Sequence, residues 1–135
     1  MDNNSQIFSM ALLHIQPSQL YISREKLIAL QEKLDFSIAS GLPPIPIKIL
    51  DGVLMMTDGH TRALGTYLEG VRTIPVVWDQ DELDWEAYQI CMDWCRQEGI
   101  HTIADLTYRV VGTVDYQEKW LDRCCKMQAD LAKKR

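Results

Sequence analysis

The sequence lacks any long apolar run. No stretch approaches the roughly 20 consecutive apolar residues that a membrane-spanning helix needs. The first residues also contain no basic segment followed by an apolar one, which is the pattern of an export signal. These two absences predict a protein that has no membrane partner. We therefore expect it to be cytoplasmic.

An excess of positive charge is also missing, since 14 basic side chains stand against 19 acidic ones and give a net charge of -5. A surface with this balance repels a phosphate backbone, so DNA is an unlikely partner. Internal repeats and low-complexity segments are absent as well. The 47% of apolar residues in a chain of 135 is typical of one domain that buries a core.

Cysteine is absent from the first half of the chain, and the four cysteines are Cys91, Cys95, Cys124 and Cys125. Without an export signal they are expected to be reduced. Together with His101, the four cysteines make a zinc site one possible interpretation of this region. Neighbouring side chains on a helix point about 100 degrees apart, which makes joint use of Cys124 and Cys125 awkward. The prediction is buried thiols and no metal site.

The first half of the chain shows strands and a helix in alternation. The apolar segment from Ile7 to Ile15 predicts a strand that Pro17 ends. Ser23 is expected to cap a helix, because its hydroxyl can accept from a free amide of the first turn. The apolar stripe of that helix predicts an end near Gly41, and its members are Leu27, Leu30, Leu34 and Ile38.

The middle of the chain predicts a hairpin, a helix and a strand. Three prolines make the segment from Leu42 to Pro46 extended. The dipeptide Asp51-Gly52 favours a two-residue hairpin between antiparallel strands. A second helix follows Gly59 and is expected to end with Gly70 in a left-handed cap. The strand from Thr73 to Trp78 carries an early proline, which suits an edge or a first position.

Beyond residue 80 the pattern is helical. One helix is expected from Asp81 to Gly99, a short one that Thr102 caps and that includes Val110, and a longer one capped by Thr113. The aromatic side chains of this tail are expected to pack against the sheet, and a homodimer or a protein partner is the alternative use of that surface. We thus predict an α+β fold with a small mixed sheet in residues 7–80 and a helical extension in residues 81–135.

The turn Asp58-Gly59-His60-Thr61-Arg62 carries the candidate chemistry. A strand that stops at a glycine and opens a helix leaves the first helical amides free at the positive end of the helix dipole. Arg62 can offer a bidentate fork to phosphate oxygens, Thr61 a hydroxyl and His60 an imidazole that donates or shuttles a proton. Asp58 can cap the helix or hold a magnesium ion, and capping is the prediction.

Several features together resemble the ParB/sulfiredoxin-like superfamily. They are the Gly41-Leu42-Pro43-Pro44-Ile45 approach, the hairpin, the turn of residues 58–62, and the sequence Ile74-Pro75-Val76 after the second helix. The resemblance covers roughly residues 10 to 80. It implies a ParB/sulfiredoxin-like core that binds nucleotide phosphates where the second helix begins.

Three branches of the superfamily differ at this turn. Sulfiredoxins carry a reactive cysteine at the place of His60, so the resemblance does not imply that chemistry here. The chromosome-partitioning branch, which binds cytidine triphosphate and DNA, has glutamate and arginine in place of His60 and Thr61. The free-serine kinase branch has an Asp-Gly-His-x-Arg turn, which this sequence reproduces at Asp58, Gly59, His60 and Arg62.

The kinase-like resemblance implies ATP or ADP with Mg²⁺ as ligands and a small hydroxylated acceptor such as serine. It implies cofactor contacts from residues 58–62, and it suggests Glu25 and His60 as catalytic groups. Glu25 also suits the first turn of a helix without any catalysis. A non-catalytic nucleotide-sensing or protein-interaction module is the alternative function, and a DNA-binding protein or nuclease is a weaker third.

Overall fold

The computed structural model describes residues 6–36 and 42–135. They form an α+β fold around a four-stranded mixed sheet. Its strands are β1 (Phe8–Ala11), β3 (Ile45–Leu50), β4 (Val53–Met56) and β5 (Thr73–Trp78). The strand order is β1-β5-β3-β4, in which β1 and β5 are antiparallel, β5 and β3 parallel, and β3 and β4 antiparallel.

The first strand is shorter than the strand that the apolar segment from Ile7 to Ile15 predicts. Strand β1 ends at Ala11, and Leu12–His14 form a 3-10 helix instead of continuing to Ile15. The amide of Leu12 donates to the carbonyl of Arg72, after which the chain turns away from the sheet. Leu12 and Ile15 are nevertheless fully buried, so their apolar character reflects the core and not a strand.

The hairpin between β3 and β4 forms as predicted. Asp51 and Gly52 have positive φ values of 53° and 74°, the conformation that this tight turn requires. The expectation of an edge or first position for Pro75 is wrong, because β5 lies between β1 and β3. Pro75 is tolerated in this interior strand since pairing with β3 begins one residue later, at Val76.

Helix α1 (Arg24–Lys33) begins where expected, and the Ser23 side chain accepts from the amide of Lys26. The predicted end near Gly41 is wrong in its described part, because Leu34 is already extended. The remaining residues of that prediction, 37–41, lie outside the described residues. Helix α2 (His60–Leu68) is followed by Gly70 with a φ of 86°, which confirms the predicted left-handed cap.

The tail begins with α3 (Trp85–Gln97), four residues later than Asp81, because Asp84 is the N-cap and accepts from the amide of Ala87. A 3-10 helix (Ile103–Arg109) follows Thr102 as predicted, but Val110 belongs to a strand and not to that helix. The last helix is capped by Gly112, so Thr113 is its first residue and not its cap. It consists of α4 (Thr113–Tyr116), a π-helical turn (Gln117–Leu121) and α5 (Asp122–Lys134).

The tail and the first half contribute to one hydrophobic core. Strand β6 (Val110–Val111) pairs in parallel with β2 (Ile22–Ser23), which leads directly into α1. The Tyr88 hydroxyl of α3 donates to the carbonyl of Thr57, just before α2. These contacts place the last helix beside the start of α2. Within the described residues, none of the helices combines the length and apolar character that crossing a bilayer requires.

Candidate functional site

A cavity of about 330 Å³ opens at the N-terminus of α2. All five residues of the predicted turn contribute to its wall, and residues from α1, from the segment before β2 and from α4 complete it. The lining residues named in the paragraphs below are Gln19, Lys26, Asp58, Gly59, His60, Thr61, Arg62 and Tyr116. The predicted turn thus forms one wall of the cavity, and residues distant from it in the chain form the other.

Gly59 is required at the start of α2 for two reasons. Its φ of 80° lies in the left-handed region, which strains any residue with a Cβ atom. A Cβ atom at this position would also lie 2.6 Å from Cδ1 of Ile45 and 2.8 Å from Nη2 of Arg62. The glycine thus lets the guanidinium group lie directly over the turn.

Among the described residues, no side chain caps the amides that open α2. The first intrahelical bond runs from the amide of Ala63 to the carbonyl of Gly59, at 2.9 Å. The carboxylate of Asp58 accepts from the amide of Gly59 at 2.8 Å, one residue before the helix. The prediction that Asp58 caps the helix is therefore wrong. The amides of His60, Thr61 and Arg62 remain at the positive end of the dipole, where an anion is favoured.

Arg62 has a donor that the protein does not use. Its Nη2 atom donates to the carbonyl of Pro44 at 3.4 Å, which is a long hydrogen bond. Its Nε atom is buried and has no hydrogen-bond partner within residues 6–36 and 42–135. A buried donor without a partner costs free energy, and the cost is larger when the group is charged. The guanidinium group at the cavity wall is thus only weakly held by the protein.

His60 is a buried residue that links two parts of the structure. Its side chain is 3% exposed, and its Nε2 atom accepts from the amide of Ser18 at 2.9 Å. The proton of the neutral ring is therefore on Nδ1. Burial lowers the pKa of His60 to about 4, although the nearby Asp58 opposes this change. The ring is therefore uncharged at neutral pH and offers a phosphate no positive charge.

Lys26 provides the second positive charge at the cavity, and sequence analysis missed it. It follows Glu25 in the first turn of α1, and its Nζ atom lies 5.3 Å from the centre of the Tyr116 ring. The Tyr116 hydroxyl accepts from Nε2 of Gln19 at 3.2 Å. Burial raises the pKa of Tyr116, so its hydroxyl stays protonated. Gln19 and Lys26 lie more than 30 positions before the turn and Tyr116 more than 50 after it, so no local pattern connects them with the turn.

Glu25 does not line the cavity, although it is adjacent to Lys26 in the sequence. It is exposed on the first turn of α1, where its charge favours the helix dipole. Successive helical residues point in different directions, so only one of the pair faces the cavity. The structure therefore does not bring Glu25 to the turn of residues 58–62. Asp58 is the carboxylate that lines the cavity.

Asp58 also lines two neighbouring cavities. One, of about 370 Å³, contains Asp79 and Asp81, and the other, of about 260 Å³, contains Cys91 and Cys124. In the described part of the chain, no group of three or more His, Cys, Asp or Glu side chains is arranged to hold a metal ion. A magnesium ion commonly needs only one or two carboxylates when phosphate oxygens complete its shell. Asp58 could thus be one ligand of a magnesium ion whose other ligands are phosphate oxygens, but it does not form a metal site alone.

Comparison with known proteins supports the fold. The crystal structure of protein Atu1540 from Agrobacterium tumefaciens is similar, with a TM-score of 0.51 and 19% sequence identity. The similarity covers 75% of this chain and 61% of that protein, so it spans less than two thirds of the other chain. No protein-family model matches the sequence, and no curated protein matches it. The ParB/sulfiredoxin-like resemblance therefore stays a prediction.

Proposed function

We propose that the cavity at the start of α2 binds the phosphate groups of a nucleotide such as ATP or ADP. The observation that carries this proposal is the unpartnered Nε atom of Arg62 beside a helix start without a side-chain cap. A guanidinium group that turns from Pro44 toward the cavity would offer two parallel donors to one phosphate. The predicted family resemblance points to the same turn.

Charge supports the same ligand. Arg62 and Lys26 line the cavity from two different helices, and the α2 amides add the positive end of a dipole between them. A cavity with two cations and a helix start suits a ligand with several phosphate groups better than a ligand with one carboxylate. Asp58 adds a negative charge at the edge, and Mg²⁺ between its carboxylate and the phosphates would balance it. We propose the cytoplasm, where both ligands occur, as the place of action.

Arg62→Ala is expected to weaken ADP binding about 30-fold, because one charge-assisted interaction contributes about 2 kcal/mol. The matched control is Arg72→Ala. Arg72 lies beyond the other end of α2, where Cζ of its guanidinium group is 4.3 Å from the centre of the Tyr67 ring. Calorimetric titration of the wild type and both variants with ADP, ATP, CTP and inorganic pyrophosphate, with and without Mg²⁺, measures the effect. Adenosine serves as the ligand without phosphate.

Three results would contradict the proposal. One is adenosine binding as tightly as ADP, which would place recognition on the base. Another is equal loss of affinity in the Arg62 and Arg72 variants, which would indicate a general electrostatic effect. Weak binding of every nucleotide by the wild type would likewise exclude this function.

Catalysis is a second candidate, in which the protein transfers phosphate to a small hydroxylated acceptor such as serine. The position of Glu25 disfavours it, because a general base must lie within hydrogen-bond reach of the acceptor. The carboxylate in place is Asp58. If transfer occurs, Asp58→Asn is expected to lower its rate at least about 100-fold while Glu25→Gln changes it less than about twofold. Conversion of labelled ATP and ADP with and without serine measures both rates.

The alternative is a module that binds the nucleotide without converting it. It predicts nucleotide affinity in the titration and no labelled product in the transfer assay. A homodimer or a protein partner is then predicted on the helical tail, where Tyr108, Val114 and Leu121 are exposed. A DNA-binding or nuclease role is disfavoured by the net charge of -5.

A further inference from the structure

Two of the four cysteines lie side by side on different helices. Cys91 is buried on α3, and Cys124 is half-buried on α5. Both thiols line the cavity of about 260 Å³ next to the phosphate cavity. Tyr88 and Trp120 form other parts of its wall. Small molecules can therefore reach two thiols that line one cavity.

The other two cysteines have different surroundings. Cys95 is fully buried one helical turn after Cys91, and burial raises the pKa of its thiol to about 12. Such a thiol carries almost no thiolate at neutral pH and is inert. Cys125 is exposed, and it does not line the cavity that Cys124 lines. The chain thus contains one thiol pair together with one buried and one exposed control.

The two thiols of the pair are not equivalent. The hydrogen bond from Cys91 lowers the pKa of Cys124, and the positive charge of Arg123 acts in the same direction. The hydrogen bond to Cys124, followed by burial, raises the pKa of Cys91. A thiolate is the nucleophile in thiol–disulfide exchange, so Cys124 is the group that reacts first.

We propose that Cys91 and Cys124 form a redox-active dithiol that is oxidised by small-molecule disulfides such as oxidised glutathione. Cys124 is the attacking thiol, because it is the more accessible of the two. Cys91 is the resolving thiol, because it lines the same cavity as Cys124 and is buried. This site is independent of phosphate binding.

The reaction has two exchange steps. The Cys124 thiolate attacks one sulfur of glutathione disulfide, forming a mixed disulfide and releasing one glutathione thiolate, which takes a proton from water. The Cys91 thiol then loses its proton and attacks Sγ of Cys124, which breaks the mixed disulfide and releases the second glutathione. Two protein thiols are oxidised, and one glutathione disulfide is reduced to two glutathione molecules.

The product would be a disulfide between α3 and α5. Its bond of about 2.05 Å requires the two sulfur atoms, which belong to free thiols in this structure, to move together. Gln19, Asp58 and His60 belong to both this cavity and the phosphate cavity, whereas the two cysteines belong only to this one. Oxidation would therefore alter the lining of the cavity next to the phosphate cavity. It would leave the charged side chains of the phosphate cavity chemically unchanged.

The test uses a variant that keeps only the proposed pair, Cys95→Ala with Cys125→Ser. Folded protein is incubated with glutathione disulfide, its free thiols are blocked with iodoacetamide, and its mass is measured. We expect both thiols to be lost and the measured mass to show no glutathione bound to the protein. Trypsin cleaves after Arg72, Arg96 and Arg123, so the oxidised variant should yield residues 73–96 joined to residues 124–126. Dithiothreitol should restore both thiols.

Adding Cys91→Ser to this variant supplies the control for the resolving step. The reaction should then stop at one glutathione on Cys124, because the resolving thiol is missing. A stable mixed disulfide when Cys91 is present would overturn the proposal, and so would thiols that react only after unfolding.

The wild type and Cys125→Ser provide a test if the double variant does not fold. Fragmentation of the joined peptides distinguishes Cys91 from Cys95 as the partner of Cys124. A bond to Cys95, or a bond that forms only when Cys125 is present, would also overturn the proposal.

Discussion

Replacing Gly59 with alanine is expected to lower the free energy of unfolding by about 3 kcal/mol, whereas Gly70→Ala should lower it by only about 1 kcal/mol. Both glycines have positive φ values, of 80° and 86°, so both variants carry similar backbone strain. They differ in their surroundings. A Cβ atom at Gly59 would approach Ile45 and Arg62 to less than 3 Å, while a Cβ atom at Gly70 would meet nothing within 4 Å.

Urea unfolding of the wild type and the two variants measures this difference. The comparison isolates the close approach of Arg62 and Ile45 from the cost of the left-handed backbone. Equal destabilisation of the two variants would show that the space over Gly59 can be filled without displacing these side chains. We also expect Gly59→Ala to weaken ADP binding, because the new methyl group must push the guanidinium group away from the helix start.

Lowering the pH from about 7 to about 4.5 is expected to destabilise the protein by about 2 kcal/mol through His60 alone. Its pKa is about 6.5 when the chain is unfolded and about 4 when it is folded, since burial disfavours the charged ring. Between these values the unfolded chain binds the additional proton. The contribution of His60 is therefore complete above the unfolded pKa and is lost as the pH falls toward 4.

Carboxylates also titrate in this range, so the effect of His60 must be measured as a difference between variants. His60→Gln removes the titration, and its side-chain oxygen can still accept from the amide of Ser18. The matched control is His101→Gln, because His101 is exposed. Urea unfolding at both pH values should show a smaller pH effect in His60→Gln than in the wild type and in His101→Gln. A pH effect that is equal in all three would contradict the burial argument.

Several local features follow directly from neighbouring residues. The Asp51-Gly52 turn, the Ser23 cap and the left-handed Gly70 each depend on the backbone within one or two turns. The helix start at Gly59 belongs to the same group. These predictions succeeded because glycine, serine and short polar residues set local geometry wherever they occur. The ends of β1 and α1 were predicted poorly, since apolar residues such as Leu12 mark burial and do not specify the element that buries them.

The sequence by itself therefore determined the α+β class, the hairpin and the turn of residues 58–62, because local geometry and composition suffice for each. Only the tertiary structure decided what surrounds that turn. It placed Lys26 at the cavity and left Glu25 outside, buried His60 deeply enough to keep it uncharged, and brought Cys91 and Cys124 from two helices to one cavity. These relations depend on contacts between distant residues, and hydrophobic periodicity does not encode which helix face meets which partner.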